Sequence, residues 1–278
     1  MKFRRVTSAS VVLLVALLLT ACRTPTATPD PTPTSRPQIT LTISGSGTTG
    51  AVLSGIKPVF EADVPGYTLK ILPGSGTGGG VKGVLEGILD VAAMARPPKD
   101  EEAAQGIEYA EFGQSGVAVY THAQVGVTDL TSAQVLAIFS GAITNWSEAG
   151  GKDQPLILYV RDEEDSSTQS LRDSIFGEIA FPEAAQVMTS QADMQAAVAG
   201  TPGSVGFGSW PAALAEQADV KAIALDGVAP GDSAYTLTGP VGIGYLTADK
   251  ANIQPLIDWL LSEKGQAALR KFDVILSK

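Results

Sequence analysis

Three short stretches of this sequence place hydroxyl side chains among small residues at points where an extended segment gives way to a helical one. They are Ser46, Thr48 and Thr49 within Gly45–Gly50, Ser75 and Thr77 within Gly74–Gly80, and Ser166, Ser167 and Thr168 just after a strand ending on Arg161. A helix start leaves backbone N–H groups without intrahelical partners and carries roughly half a positive charge. Neighbouring hydroxyls add donors, and glycine lets the backbone come close to a ligand. Three such turns converging on one point would form a donor-rich cage for a tetrahedral anion, and Arg161 could add a permanently charged bidentate fork. A plainer role stands beside this one, because Ser and Thr at such positions are also ordinary N-caps.

Other chemistries find little support. Gly45/Gly47/Gly50 and Gly74/Gly76/Gly79 both match G-x-G-x-x-G, the dinucleotide fingerprint. That motif wants an acid at the end of the following strand. The first such strand ends Ile71-Leu72-Pro73, and after the second loop Asp90 begins its strand instead. A Walker loop fails because Val81 precedes Lys82. His122 is the only histidine, placed where a strand ends; there is no G-x-S-x-G elbow and no His/Cys set for zinc. Asp162 to Asp165 lacks the spaced ligands of a calcium loop and reads as a solvated turn. The expectation is a binding protein, with no catalytic residue, metal or cofactor.

The elements that must position these loops alternate. Strands are expected at Ile39–Ile43, Tyr67–Leu72, Asp90–Met94, Gly116–Tyr120, Pro155–Arg161, Val205–Gly208 and Val241–Leu246. Helices are expected around Val52–Phe60, then Val81–Leu89, Thr131–Phe139, Ser167–Phe176, Asp193–Ala199 and Ile253–Lys271. Such alternation implies an α/β fold with mostly parallel sheets.

Residues 1–21 read as a signal segment. Lys2, Arg4 and Arg5 precede an apolar run, Val11–Leu19, far short of the roughly 20 residues that span a bilayer. The run ends Leu19-Thr-Ala-Cys22, which looks like a bacterial lipobox, and Cys22 is the only cysteine in the chain. Lipidation of Cys22 follows as the expectation, and no intrachain disulfide can form. Between Arg23 and Gln38, five Pro and five Thr among sixteen residues read as an extended stalk (22–38 with the lipidated cysteine). Losing the three basic residues of the signal takes the net charge from −10 to −13. So acidic a body argues against nucleic acid and against adhesion to anionic headgroups, so an anion must be captured by local geometry.

These residues resemble the phosphate-binding proteins of bacterial ABC importers, a branch of the type II periplasmic binding proteins. The resemblance is carried by the two glycine loops, Gly87-Ile-Leu-Asp-Val-Ala92, Ile138-Phe-Ser-Gly-Ala-Ile-Thr-Asn-Trp146 with Gly150-Gly151, Arg161 with Ser166-Ser-Thr168, and Leu261-Ser-Glu-Lys-Gly-Gln266. It implies two α/β lobes joined by two crossover hinge strands, lobe one at 39–118 and 236–278 and lobe two at 119–235. It implies a ligand set of Ser46, Thr48 or Thr49, Ser75 or Thr77, Arg161, and Ser166 to Thr168. It also implies a monomeric, extracytoplasmic receptor that hands inorganic phosphate to ABC permease subunits. Sulfate, molybdate, tungstate or a phosphonate is the alternative ligand, and a surface sensor or adhesin without transport the alternative role. Two departures bear on the ligand. Ser167 stands in place of a glycine. Ala95, followed by Arg96, stands where many relatives carry an aspartate that accepts the proton of monohydrogen phosphate. Arg96 joins the candidate ligands for that reason.

Overall fold

The alternation of Leu41 and Ile43 with threonines builds β1 (Ile39–Gly45), whose two alternate apolar side chains are both fully buried. The computed structural model describes residues 38–163 and 165–276. The expected signal segment, Cys22 and the stalk up to residue 37 lie outside the described residues.

Helix α1 (Gly47–Asp63) follows β1, then β2 (Tyr67–Ile71), α2 (Gly76–Leu85), β3 (Val91–Met94) and α3 (Asp100–Ala104). Next come β4 (Ile107–His122), β5 (Asp129–Leu130), α4 (Ser132–Phe139), β6 (Ile157–Arg161) and α5 (Ser166–Leu171). The chain continues through β7 (Gln186–Met188), α6 (Gln191–Gly200), β8 (Ser204–Ser209), α7 (Trp210–Ala215), β9 (Val220–Ala222) and β10 (Ala224–Leu225). It closes with β11 (Thr238–Leu246), α8 (Lys250–Leu261) and α9 (Glu263–Arg270).

The main sheet runs β2-β1-β3-β11-β4-β8-β6-β7, with β9 also on β4. Its ends are parallel (β1 with β2 and β3, β6 with β7 and β8), and its middle is antiparallel, because β11 runs against both β3 and β4. This is the α/β fold of the type II periplasmic binding proteins. The long strand β4 bonds to β11 through its first ten residues (107–116) and to β8 through Val117–Thr121.

Apolar burial divides at the same place. One cluster joins Leu41, Ile43, Phe60, Ile243, Leu256 and Leu269; another joins Val119, Phe139, Trp146, Val160, Phe207 and Leu237. The expected apolar stripe of α1, Val52, Leu53, Ile56 and Phe60, is wholly buried in the first cluster.

Four expectations need correction. The helix expected at Ile253–Lys271 is broken at Ser262, which ends α8 and caps α9 by accepting the Gly265 N–H at 3.2 Å. The stretch Ser167–Phe176 is α-helical only to Leu171 and continues as a π turn, Arg172–Phe176. The strand expected at Gly116–Tyr120 begins nine residues earlier, because β11 supplies a ladder for a segment whose polar Glu108, Glu111 and Gln114 obscure it. Helix α2 begins at Gly76 and not at Val81, despite the glycine run's poor helix propensity. Packing explains this: a Cβ at Gly80 would lie 2.7 Å from Ser44 O, so only glycine lets α2 press against β1.

Candidate functional site

The first loop is set by Gly45, which leaves β1 at φ +140°, where an added Cβ would meet Ala93 O at 2.2 Å. Ser46 N–H donates to that same carbonyl at 2.7 Å, and Ser46 Oγ caps α1 by accepting the Thr49 N–H at 3.4 Å. Thr49 is fully buried and gives its hydroxyl proton to Met94 O at 2.8 Å. Thr48, half-buried in the first turn of α1, is the hydroxyl of this loop that faces outward.

The second loop lies against the first. Ser75 N–H donates to Gly45 O at 2.9 Å, and a Cβ at Gly74 would come within 3.4 Å of Gly47 Cα. Ser44 Oγ donates to Pro73 O at 2.7 Å, so in the 3.1 Å contact of the two serines Ser75 is the donor. Thr77 Oγ1 accepts the Ala95 N–H at 3.1 Å and keeps its own proton to give. Beside these loops is a cavity of about 180 Å3 lined by Ser44, Ser46, Gly47, Leu72 and Gly74, with Glu216 arriving from the end of α7. Burial raises the Glu216 carboxyl above the usual carboxylate range, while Gln195 acts in the opposite direction.

The third loop differs most from expectation. Arg161 ends β6 with a side chain only 10% exposed, and its Nη2 donates to Asp165 Oδ2 at 2.9 Å. Its Nε and Nη1 are buried and have no partner among the described residues. Asp165 Oδ1 caps α5 by accepting the N–H groups of Ser167 and Thr168 at 3.0 and 3.2 Å. The acidic run read as a solvated turn is solvated at the exposed Asp162 and Glu163, the latter paired with Arg172 at 2.7 Å, and is corrected at Asp165, a largely buried partner of the arginine. Ser166 is exposed, Ser167 is buried, and Thr168 is fully buried, its Oγ1 without a partner among the described residues. Leaving such donors unmet costs on the order of 1–3 kcal/mol each, more for a charged group. Asp165 was missed because its role follows from the turn geometry and not from any spacing motif; an Asp immediately before Ser-Ser-Thr was nonetheless a readable N-cap signal.

Gln191, at the start of α6, comes close to the first loop and to β4. A Cβ at Gly47 would lie 4.0 Å from Gln191 Cβ, and Gln191 Nε2 is 3.5 Å from the buried Tyr120 hydroxyl. Burial drives the Tyr120 hydroxyl far above its usual range, and the charge of Arg161 opposes that shift.

Arg96 is committed elsewhere. Its Nη1 and Nη2 grip Glu102 at 2.7 and 2.8 Å, and Nη1 also reaches Pro97 O at 2.9 Å. This pairing raises the Arg96 guanidinium and holds the Glu102 carboxyl below its usual range. Among the described residues no group of three His, Cys, Asp or Glu is gathered as a metal site, and no helix is long and apolar enough to cross a membrane.

The fold is α/β, with hydroxyl-rich helix starts at Gly47, Gly76 and Ser166 following strands or short loops. The sequence profile described as a PBP superfamily domain matches residues 30–272, and the chain belongs to that superfamily. Among curated proteins it is similar to the phosphate-binding protein PstS of Bacillus subtilis (strain 168), 26% identical over 237 residues, covering 82% of this chain and 77% of that protein. Among solved structures it is similar to a Clostridium perfringens substrate-binding protein assigned to phosphate ABC transport and crystallised with bound phosphate. There the TM-score is 0.74 and the identity 26%, covering 86% of this chain and all (100%) of the other. An ABC-type phosphate transport receptor from Vibrio cholerae shares the fold at TM-score 0.60 and 24% identity, covering 85% and 100% of the two chains.

Proposed function

We propose that this protein is a lipid-anchored, extracytoplasmic receptor that captures inorganic phosphate between two lobes and passes it to an ABC permease. The observation that carries the reading is Arg161: a nearly buried, permanently charged guanidinium with two nitrogens unpartnered among the described residues, tied through Asp165 to Thr168, whose buried hydroxyl is likewise unpartnered there. An anion satisfies all three at once through charge-assisted bonds. Thr48 and Thr77 add hydroxyl donors from the two adjoining loops, whereas Ser75 has its hydroxyl proton on Ser44 Oγ, and the names of the relatives point to phosphate. The apolar clusters change within β4 between Phe112 and Val117 and again between Leu237 and Val241, which supports two lobes close to the bounds 39–118 with 236–278 and 119–235, Val117 and Leu237 packing on the lobe-two side. Delivery to a permease rests on the family, and anchoring rests on Cys22 and its lipobox.

Calorimetric titration of the purified protein against phosphate, sulfate, molybdate and tungstate tests the reading. Saturable one-to-one binding of phosphate is expected. Tighter binding of another oxyanion reassigns the ligand, and binding of none removes the receptor role.

A further inference from the structure

We propose that Gln191 is a further anion-binding residue, which reaches from the start of α6 towards the anion held by the first loop and Arg161 and gives it a neutral N–H donor. The inference rests on the reading of those two groups as the anion site.

Gln191 has one neighbour from each of them. On one side is the first turn of α1, where a Cβ at Gly47 would lie 4.0 Å from Gln191 Cβ. On the other is β4, where Gln191 Nε2 comes 3.5 Å from the Tyr120 hydroxyl. That hydroxyl lies in the field of Arg161 and Asp165, and Asp193, two residues beyond Gln191, feels Arg161 as well.

The place of the amide is built into the sheet. A Cβ at Gly208 of β8 would lie 2.4 Å from Gln191 Oε1 and 2.7 Å from Nε2. Gly208 is not at positive φ, so its backbone would admit other residues. What requires glycine there is the close approach of the Gln191 amide. One turn further along α6, Gly206 makes room for Met194 Sδ at 2.5 Å in the same way. Helix α6 therefore lies tight along β8, and its first residue is fixed in position.

The amide so placed is weakly engaged. Nε2 carries two hydrogens, and its contacts to the Tyr120 hydroxyl and to Ser209 O are both 3.5 Å. Firm N–H···O bonds fall at about 2.7–3.2 Å. The Tyr120 hydroxyl gives its own proton to Phe207 O at 3.2 Å, so towards Gln191 it can only accept. Gln191 is half-buried, and turning one hydrogen to an oxyanion exchanges a long neutral contact for a shorter charge-assisted one.

The test is calorimetric titration of phosphate into the full-length wild type, Gln191→Met, Gln191→Glu, Gly208→Ala and the Gln191→Met/Gly208→Ala double variant, with urea unfolding of each. Gln191→Met keeps the length and removes the donors, and affinity should fall about five- to tenfold. Gln191→Glu turns a carboxylate on the anion and should lose about tenfold more. Gly208→Ala displaces the amide without changing it and should match Gln191→Met, and the double variant should lose no more than either alone, because both remove one contact. Binding within about twofold of wild type in Gln191→Met overturns the proposal, whatever its stability. So does a Gln191→Glu variant that binds as wild type, since a side chain that only bridged to the start of α1 would be replaced well by a carboxylate. Should Gly208→Ala fail to fold, the two Gln191 substitutions decide alone. A wild type that binds another oxyanion in place of phosphate is a separate failure, that of the ligand assignment, and the same variants are then titrated with that anion. A wild type that binds none overturns both readings.

Discussion

Trp210 donates its indole N–H to Asp273 Oδ2 at 3.0 Å, tying the start of α7 to the turn that follows α9. The bond joins the two halves of the apolar interior, since Trp210 packs on the cluster of Tyr120 and Met194 while Val274 belongs to that of Leu41 and Phe60. Asp273 holds φ +52°, a backbone state a non-glycine residue enters at some cost. Trp210→Phe keeps a smaller aromatic ring in place of the indole and deletes the donor, leaving a half-buried carboxylate short of a partner. Urea unfolding should show a loss of about 1–2 kcal/mol. An unchanged midpoint would mean the link contributes nothing.

Arg161→Ala removes the charged fork. A charge-assisted contact to a bound anion is worth on the order of 2–5 kcal/mol when one partner is truncated, so phosphate affinity should fall at least tenfold. Asp165 still caps Ser167 and Thr168 in the variant, so the unliganded fold should persist by circular dichroism. Affinity within threefold of wild type would remove Arg161 from the site.

The two threonines of the first loop should separate cleanly. Thr49→Val strands the Met94 carbonyl in the core and should cost about 1–3 kcal/mol of stability. Thr48→Val touches a half-buried position and should lower phosphate affinity with little change in stability. The reverse pattern, read by denaturation and calorimetry on both variants, would exchange their roles.

Cys22→Ser tests the anchor. Cell fractionation should find the variant released from membranes, with phosphate affinity equal to wild type. Partitioning as wild type would refute lipidation.

Much of this was legible before any coordinates. Period-two and period-3.6 patterns gave β1 and α1, and the Ser/Thr turns marked helix starts that do occur at Gly47, Gly76 and Ser166. Partner choice was not legible. Nothing local in Arg96 says that Glu102, six residues on, folds back to take its fork, or that Thr49 rather than Thr48 turns inward. The early start of β4 was hidden because its pairing with β11 spans over a hundred residues of sequence, and local propensity carries no trace of it.

Arg96 and Glu102 provide the last prediction, one of pH. Arg96 lowers the Glu102 carboxyl below its ordinary value of 4.5. A carboxyl depressed in the folded state adds stability that is fully present above its unfolded pKa and is lost as pH falls through the folded one. The contribution should therefore be complete by about pH 6 and fade below 4.5. Arg96→Ala leaves the nearly buried Glu102 with the Lys99 N–H as its remaining bond and should cost about 1–2 kcal/mol at pH 7. Urea unfolding of both proteins from pH 7 down to pH 3.5 should show the two stabilities converging as Glu102 protonates in wild type. Parallel curves would mean the pair contributes no linked stability. Phosphate affinity at pH 7 should stay within threefold in the variant, because both terminal nitrogens of Arg96 are already engaged. A tenfold loss would instead show that the guanidinium leaves Glu102 for the anion and belongs with Arg161 in the binding set.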